Sequence, residues 1–295
     1  MKIQVAAVEY LRYCAFDRNF TDQTMKTRRK RIGYMTMFWL NREIESLSLN
    51  DLLKFKEALL QRKCKESYIN NFITIFICLL KFCKKYLNVS IMEVKDIEFM
   101  RVPGKVKDYL TLDEVKALLN YFEKGTGTFD FRNRAIIHTL LDTGMRISEC
   151  LSLNMSQIND IMSGKCIIIG KFRKERKVFF HGSRDYIQAY LDKRIEDEHE
   201  ALFITHCYDL RWRTERLSDD GVRKYLRQAS RELGFRCNPH KIRRTVLNHW
   251  KNNGMDIKSI SELAGHELQA VTEKFYLGKD WNILETKHKL YTNEY

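Results

Sequence analysis

The sequence has 295 residues, of which 44% are hydrophobic. This length predicts a globular chain of about two domains, each of roughly 100 to 200 residues, with enough apolar material to bury real cores. Lys and Arg number 52 against 38 Asp and Glu, a net charge of +14. Such an excess favours a polyanionic partner, with nucleic acid first, over the alternative that the charge only keeps the protein in solution.

Residues 1–10 lack the apolar core of a signal peptide, and the longest apolar run, 72–80, is shorter than the roughly 20 residues of a membrane span. The eight cysteines form no Cys-x-x-Cys pair and no zinc-ligand spacing. They are predicted to be reduced and mostly buried. We therefore expect a protein of the cytoplasm, associated with the nucleoid and without a membrane partner.

Apolar residues at spacings of three and four predict a bundle of about four helices in residues 1–101. The strongest pattern begins near Ser67, and weaker ones contain Val5, Val8 and Leu11, then Met25, Ile32, Met35 and Trp39, then Leu52, Phe55 and Leu59. The second helix carries a basic run that contains Arg28, Arg29 and Lys30. The run is predicted to bind a DNA backbone, although a solvent-exposed helix face would explain any one of these residues equally well.

A short basic stretch around Pro103 predicts a linker at 102–108, followed by a second domain at 109–295. Thr111 and Glu114 have the spacing of a capping box and predict a helix start. Further helices are predicted at about 130–141, 184–198, 218–233, 239–253 and 256–263. The apolar runs 166–169 and 178–180 predict a β-hairpin whose tip is basic.

Asn238 and Pro239 suit the N-cap and first position of a helix, which places His240 in the first turn and Arg243 one turn later. A helix start of this kind favours a phosphate, and Arg can bind its oxygens bidentately. Taken alone, the His-x-x-Arg pattern is more often an exposed polar face.

Arg146 lies where a turn passes into a helix, and it could reach the other non-bridging oxygen of the same phosphate. Glu149, three residues later, would either hold Arg146 in place or cap and solvate the helix. The sequence alone does not decide between these two roles.

Four ordered motifs together carry a more specific signal, at residues 143–149, 170–176, 239–245 and 264–266, with a tyrosine ten residues beyond the last. In order and spacing the chain resembles the tyrosine recombinase (phage integrase) family, and more closely its compact Xer-type or short mobile-element members. The resemblance implies a mainly α fold. A four-helix, SAM-like core-binding bundle would precede a mixed, mostly α catalytic domain with a small antiparallel sheet.

The resemblance also implies a role for each motif residue. Tyr276 would attack the scissile phosphodiester and form a 3′-phosphotyrosyl link, while Arg146 and Arg243 stabilise charge on the non-bridging oxygens. His266 would add a hydrogen bond to the phosphate, and His240 would assist proton transfer. Lys171 would protonate the departing 5′-oxygen, with Lys174 as the alternative. Further DNA contacts are predicted at Arg173, Lys174, Arg176 and Arg244.

No cofactor or metal is expected, because the phosphotyrosine conserves the energy of the broken bond and the arginines neutralise the charge. The sequence contains no Walker loop and no carboxylate cluster of the two-metal type. The expected partners are double-stranded DNA recombination sites and further copies of the chain in a DNA-bound tetramer. Accessory DNA-bending proteins or a partner recombinase are further candidate partners. The tail, about 280–295, is predicted to dock on a neighbouring subunit.

Three functions fit these motifs. The first is a site-specific tyrosine recombinase, which resolves chromosome dimers or integrates and excises a mobile element. The second is a type IB topoisomerase-like enzyme that nicks and religates DNA. The third is a non-catalytic DNA-binding protein on a recombinase scaffold.

Overall fold

The computed structural model describes residues 1–103, 108–170, 175–194, 198–205 and 215–265. The chain divides into two compact units, Met1–Gly104 and Lys105–Tyr295. This division falls inside the linker that the sequence predicts at 102–108. The fold class is the predicted one, mainly helical with a small antiparallel sheet.

The first unit contains the four predicted helices. They are α1 (Ile3–Phe16), α2 (Asp22–Phe38), α3 (Leu49–Gln61) and α4 (Glu66–Tyr86), with short 3-10 turns at Ile44–Ser46 and Val94–Asp96. Aromatic rings fill the space between α2, α3 and α4, since the Phe55 ring centroid lies 5.0 Å from that of Trp39 and 5.6 Å from that of Phe72. The basic run of α2 is thus carried on a packed bundle.

Helix α1 exists as predicted, and Leu11 of its predicted apolar face packs against the core, but the two valines of that face do not. Val5 and Val8 are 52% and 56% exposed, whereas the core receives Ala6, Ala7 and Tyr10. Ile3 and Cys14 of α1 are buried with them, so the buried face lies beside the one that the sequence pattern indicated.

Helix α4 is the one described helix that is long and apolar enough to cross a membrane, judged by length and composition alone. Half of its most apolar window is buried inside the protein. Its apolar residues, among them Ile69, Phe76 and Leu79, belong to the core of the first unit. This is the behaviour of a core helix.

The second unit opens with α5 (Leu112–Glu123), and both hydrogen bonds of the predicted Thr111 and Glu114 capping box are present. The remaining elements are α6 (Thr128–Thr143), α7 (Ile147–Leu151), a 3-10 turn (Met155–Gln157), α8 (Ile158–Met162), β1 (Lys165–Ile169), β2 (Glu175–Phe179), α9 (Arg184–Leu191), α10 (Asp219–Leu233), α11 (Pro239–Asn252) and α12 (Ile257–Ala264).

The predicted hairpin is confirmed, with β1 and β2 antiparallel. Cys166 lies opposite Val178, Ile168 lies opposite Arg176, and the inward side chains of both strands join the main core. Strand β2 begins at Glu175, so Arg176 belongs to the strand and not to the tip.

Helix α9 ends at Leu191, seven residues before the end that the sequence predicts at 198. The Arg194 guanidinium donates to the carbonyl oxygens of Ala201 at 2.8 Å and Leu202 at 3.1 Å. These bonds draw the chain back toward the helix end, and helical periodicity in the sequence does not report such a tertiary contact.

Candidate active site

The start of α11 is fixed by local and tertiary contacts. The Asn238 side chain caps the helix by accepting from the Lys241 backbone amide at 3.0 Å, and Pro239 occupies the first turn. The buried Lys241 ammonium lies 3.1 Å from Asp108 Oδ2, and the Thr245 hydroxyl accepts from the Leu110 backbone amide at 2.8 Å. The helix start is therefore anchored to the beginning of the second unit.

Arg243 is only 1% exposed and connects the ends of two other helices. One of its amino groups donates to the Gly144 carbonyl at 2.6 Å, at the end of α6. The other donates to the Ala264 carbonyl at 2.5 Å, at the end of α12. Three of the four sequence motifs thus meet at this side chain.

Arg146 is the N-cap residue of α7, and its guanidinium points toward the same helix end. One amino group donates to Glu149 Oε1 at 2.8 Å and lies 3.4 Å from the Ala264 carbonyl, while the other donates to the Gly265 carbonyl at 3.2 Å. Arg146 and Arg243, far apart in the sequence, therefore share the Ala264 carbonyl oxygen as an acceptor.

Glu149 is 5% exposed and lies between two guanidinium groups. Its Oε2 accepts from the Arg146 backbone amide at 2.8 Å and from Arg176 Nη2 at 2.8 Å. Burial alone would raise the pKa of this carboxyl, but the Arg176 charge, the Arg146 amide and the Arg146 charge outweigh burial and hold the pKa below 4.5. Glu149 thus caps α7 and also holds Arg146, and it is not a solvated surface group.

Two glycines of the motifs are required by the geometry. Gly144 and Gly265 end α6 and α12 in the left-handed region, with φ of +61° and +64°. A Cβ atom on Gly144 would lie 3.0 Å from the Trp250 ring, and one on Gly265 would lie 2.7 Å from Arg176 Cδ. Both turns therefore combine a backbone conformation that favours glycine with packing that leaves little space for a side chain.

His240 lies at the surface of the first turn of α11. Partial burial of its ring, then the positive charges of Arg223 and Arg244, lower its pKa below the ordinary value of 6.5. The lowered pKa favours the neutral imidazole at pH 7. Arg244 is directed along the helix, since its Nε donates to the His240 carbonyl at 3.3 Å and its Nη1 lies 3.8 Å from Asp108 Oδ1.

The basic run of α2 divides into two environments. The Arg28 guanidinium lies over the Phe20 ring, 4.6 Å from its centroid, and donates to the Tyr10 hydroxyl. Arg29 and Lys30 are exposed. Their contact with DNA stays a prediction, and Arg28 has a packing role within the bundle.

Arg176 is predicted from sequence as a DNA contact, but the structure turns it inward. Its side chain is 10% exposed, and its guanidinium donates to Glu149 and to the Leu263 carbonyl inside the protein. The sequence analysis did not predict these buried contacts. Residues two apart in a strand face the same side of the sheet, so the position of Arg176 two residues before the buried Val178 could have indicated its inward direction.

Several predicted residues lie outside the described residues: Lys171, Arg173, Lys174, His266, Tyr276 and the tail 280–295. Within the described ranges, no three His, Cys, Asp or Glu side chains lie close enough to hold a metal ion. The expectation of a site without metal or cofactor stays a prediction.

The family model described as "Phage integrase family" matches residues 108–281, more than half of the chain. The chain belongs to the phage integrase family. This confirms the resemblance that the four motifs indicated. The matched region contains the Arg146 and Arg243 network and every motif of the second domain.

Curated relatives of the chain are named tyrosine recombinase XerC. The XerC of Chlamydia muridarum is 34% identical over 63% of this chain and 59% of its own length, and that of Halalkalibacterium halodurans is 31% identical over 58% of each. The chain thus aligns with less than two thirds of the length of these relatives. The XerC of Lactobacillus delbrueckii subsp. bulgaricus is 26% identical over 90% of this chain and 91% of its own length.

Solved structures share the fold at low identity. The integrase of transposon Tn1549, in complex with circular intermediate DNA, matches with a TM-score of 0.76 at 15% identity, over 98% of this chain and 99% of its own. A lambda integrase tetramer bound to a Holliday junction matches with a TM-score of 0.76 at 14% identity, over 95% of this chain and 79% of its own.

Glu149→Gln tests the buried carboxylate. Because the folded-state pKa lies below 4.5, the carboxylate stabilises the fold fully above that pH, and its contribution is lost as the pH falls through the folded value. We expect the variant to lose roughly 3 kcal/mol of unfolding free energy at neutral pH, and the two stability curves to converge in acid.

Urea denaturation from about pH 3 to 7 measures this difference. Glu200→Gln is the matched control, because Glu200 forms an ion pair of 3.0 Å with Arg216 but is 75% exposed, and its loss should cost at most about 1 kcal/mol. A gap between wild type and Glu149→Gln that stays constant over this pH range would contradict the assignment.

Gly265→Ala tests the close approach at the end of α12. Gly234→Ala is its matched control, since Gly234 also ends a helix in the left-handed region, at φ +76°, but a Cβ there meets nothing within 4 Å. The control should cost about 1 kcal/mol from backbone strain alone. Gly265→Ala should cost at least about 1 kcal/mol more, because Arg176 must move. Equal unfolding free energies of the two variants would refute the packing argument.

Proposed function

We propose that this chain is a site-specific tyrosine recombinase, which cleaves and rejoins DNA through a 3′-phosphotyrosyl intermediate. Tyr276 passes its phenol proton to His240 and attacks the scissile phosphorus, the bond to the 5′-oxygen breaks, and that oxygen leaves as a hydroxyl after receiving a proton from Lys171. Religation reverses these steps with the 5′-hydroxyl of another strand. Each phosphodiester is exchanged for a phosphotyrosine, so no external energy source is needed.

The observation that carries the proposal is the convergence of Arg146 and Arg243 on one oxygen atom, the Ala264 carbonyl. A non-bridging phosphate oxygen is the same kind of acceptor, and its negative charge makes the hydrogen bonds about twice as strong. Two guanidinium groups directed at one point can neutralise the charge that develops on a phosphorane in the transition state. In the free protein these amino groups donate to the Ala264 and Gly144 carbonyls, so a bound phosphate oxygen would take the place of a carbonyl acceptor.

The neighbouring residues support the same chemistry. The lowered pKa of His240 favours the neutral imidazole at pH 7, which is able to accept a proton. Ala264 and Gly265 lead directly to His266, which in the proposal donates a further hydrogen bond to the phosphate. The Arg146 side chain is 28% exposed, so DNA can approach it from solvent.

The proposed substrate is double-stranded DNA at recombination sites, bound by a tetramer of the chain in the cytoplasm. The net charge of +14 supports a DNA partner, and two of the similar structures are integrases bound to DNA, one of them a tetramer. Exposed Arg29 and Lys30 are proposed backbone contacts, and the tail 280–295 is proposed to dock on a neighbouring subunit. Dimer resolution and element integration would use the same site.

Covalent trapping tests the proposal without assuming a target sequence. The full chain is incubated with sheared genomic DNA of its source organism and quenched in detergent, and the covalently attached fragments are recovered and sequenced. Recovered sites are then synthesised as nicked duplexes, on which the cleaved end is lost and the adduct accumulates. We expect an adduct from wild type and a peptide carrying the nucleotide at Tyr276.

Tyr276→Phe should form no adduct, because the phenol oxygen is the nucleophile. Tyr121→Phe is the matched control, since it removes a phenol from α5 of the same unit and should leave the adduct unchanged. An adduct that persists in Tyr276→Phe would mean another nucleophile. Absence of any adduct from wild type would reject recombinase chemistry for this chain.

A further inference from the structure

Arg176 occupies an unusual place for a basic residue of a DNA-binding hairpin. It faces the side of the sheet that carries the buried Val178, opposite Ile168 in the strand register. Its guanidinium donates to Glu149 Oε2 at 2.8 Å and to the Leu263 carbonyl. Strand β2, the start of α7 and the end of α12 are thereby joined through one side chain.

We infer that Arg176 is a positioning residue, which holds Glu149 and the last turn of α12 in the geometry that Arg146 requires, and that it is not a groove contact. The inference rests on the proposed recombinase function of the same site. It assigns Arg176 an indirect role through Glu149 and Leu263, because these are the two groups to which its guanidinium donates.

Both carboxylate oxygens of Glu149 are engaged by arginine donors. Oε1 accepts from the Arg146 guanidinium, and Oε2 accepts from the Arg146 backbone amide and from Arg176. Without Arg176, Oε2 would retain a single donor, and the carboxylate could turn about its last bond. Because Glu149 fixes the Arg146 guanidinium, a turn of the carboxylate would displace the guanidinium as well.

The second contact acts on the other acceptors of Arg146. Leu263 directly precedes Ala264 and Gly265, whose carbonyls accept from Arg146. Arg176 therefore holds the chain one residue before the oxygen that Arg146 and Arg243 share. The close approach of Gly265 to Arg176 Cδ keeps this turn against the guanidinium stem.

The two roles give different results when DNA affinity and cleavage are measured separately. A groove contact that neutralises a phosphate weakens binding and reduces the slope of log affinity against log salt concentration by about 1. A positioning residue leaves affinity and slope unchanged but slows the chemical step, because misplacement by about 1 Å can cost on the order of 100-fold in rate.

The experiment compares wild type, Arg176→Gln, Arg176→Lys and the control Lys165→Gln. The control removes an exposed charge from the start of β1, at the end of the hairpin away from its turn. Binding to the recovered nicked duplex is measured at several salt concentrations, and single-turnover adduct formation is measured at saturating protein. For Arg176→Gln we expect wild-type affinity and a cleavage rate at least about 10-fold lower. Arg176→Lys should recover part of the rate, because a lysine restores the charge and one donor.

Reduced affinity and a salt slope lowered by about 1, with an unchanged rate at saturation, would overturn the inference in favour of a groove contact. A wild-type rate and affinity in Arg176→Gln would overturn it as well.

Should Arg176→Gln fail to fold, the double variant Glu149→Gln with Arg176→Gln decides, because it removes both buried charges together. A folded double variant that cleaves at the wild-type rate would contradict positioning. Failure of wild type to form any adduct would instead reject the proposed function, and the inference with it.

Discussion

The Glu149 carboxylate, buried between the guanidinium groups of Arg146 and Arg176, is the interaction on which the candidate site depends. A buried carboxylate without partners would be protonated or would unfold its surroundings, so it must be matched by charge and by hydrogen bonds. Here the matching groups come from α7 and from β2. The requirement to satisfy one acidic side chain therefore brings together motifs that are well separated in the sequence.

Close packing around this site also explains why glycine occupies two of the motif positions. Gly265 must lack a side chain because Arg176 passes against it, and Gly144 must lack one because α6 ends against Trp250. The carbonyl oxygens at these turns, which a helix end leaves without internal partners, are the acceptors for Arg243 and Arg146. The glycine turns thus satisfy the helix ends and aim the arginines at the same time.

Sequence patterns predicted the local features well, because those depend on neighbours along the chain. The capping box at Thr111 and the cap and proline at the start of α11 are of this kind. Long-range contacts were not predictable in this way. The end of α9 is set by Arg194 reaching the carbonyls of Ala201 and Leu202, and the inward turn of Arg176 by a partner in another motif. Strand alternation places Arg176 on the same side as the buried Val178, but its partner is recognised only when the position of the Glu149 carboxylate is known.

The central claim is that Arg146 and Arg243 neutralise the charge of the scissile phosphate. The most direct measurement compares adduct formation by Arg146→Ala on two matched duplexes, one with a phosphodiester and one with an uncharged methylphosphonate at the cleavage position. The account predicts that Arg146→Ala severely reduces the rate of adduct formation on the phosphodiester. The reduction should be much smaller on the methylphosphonate, where there is less charge to neutralise. An equal loss on both substrates would contradict it, because Arg146 would then act through folding or positioning alone.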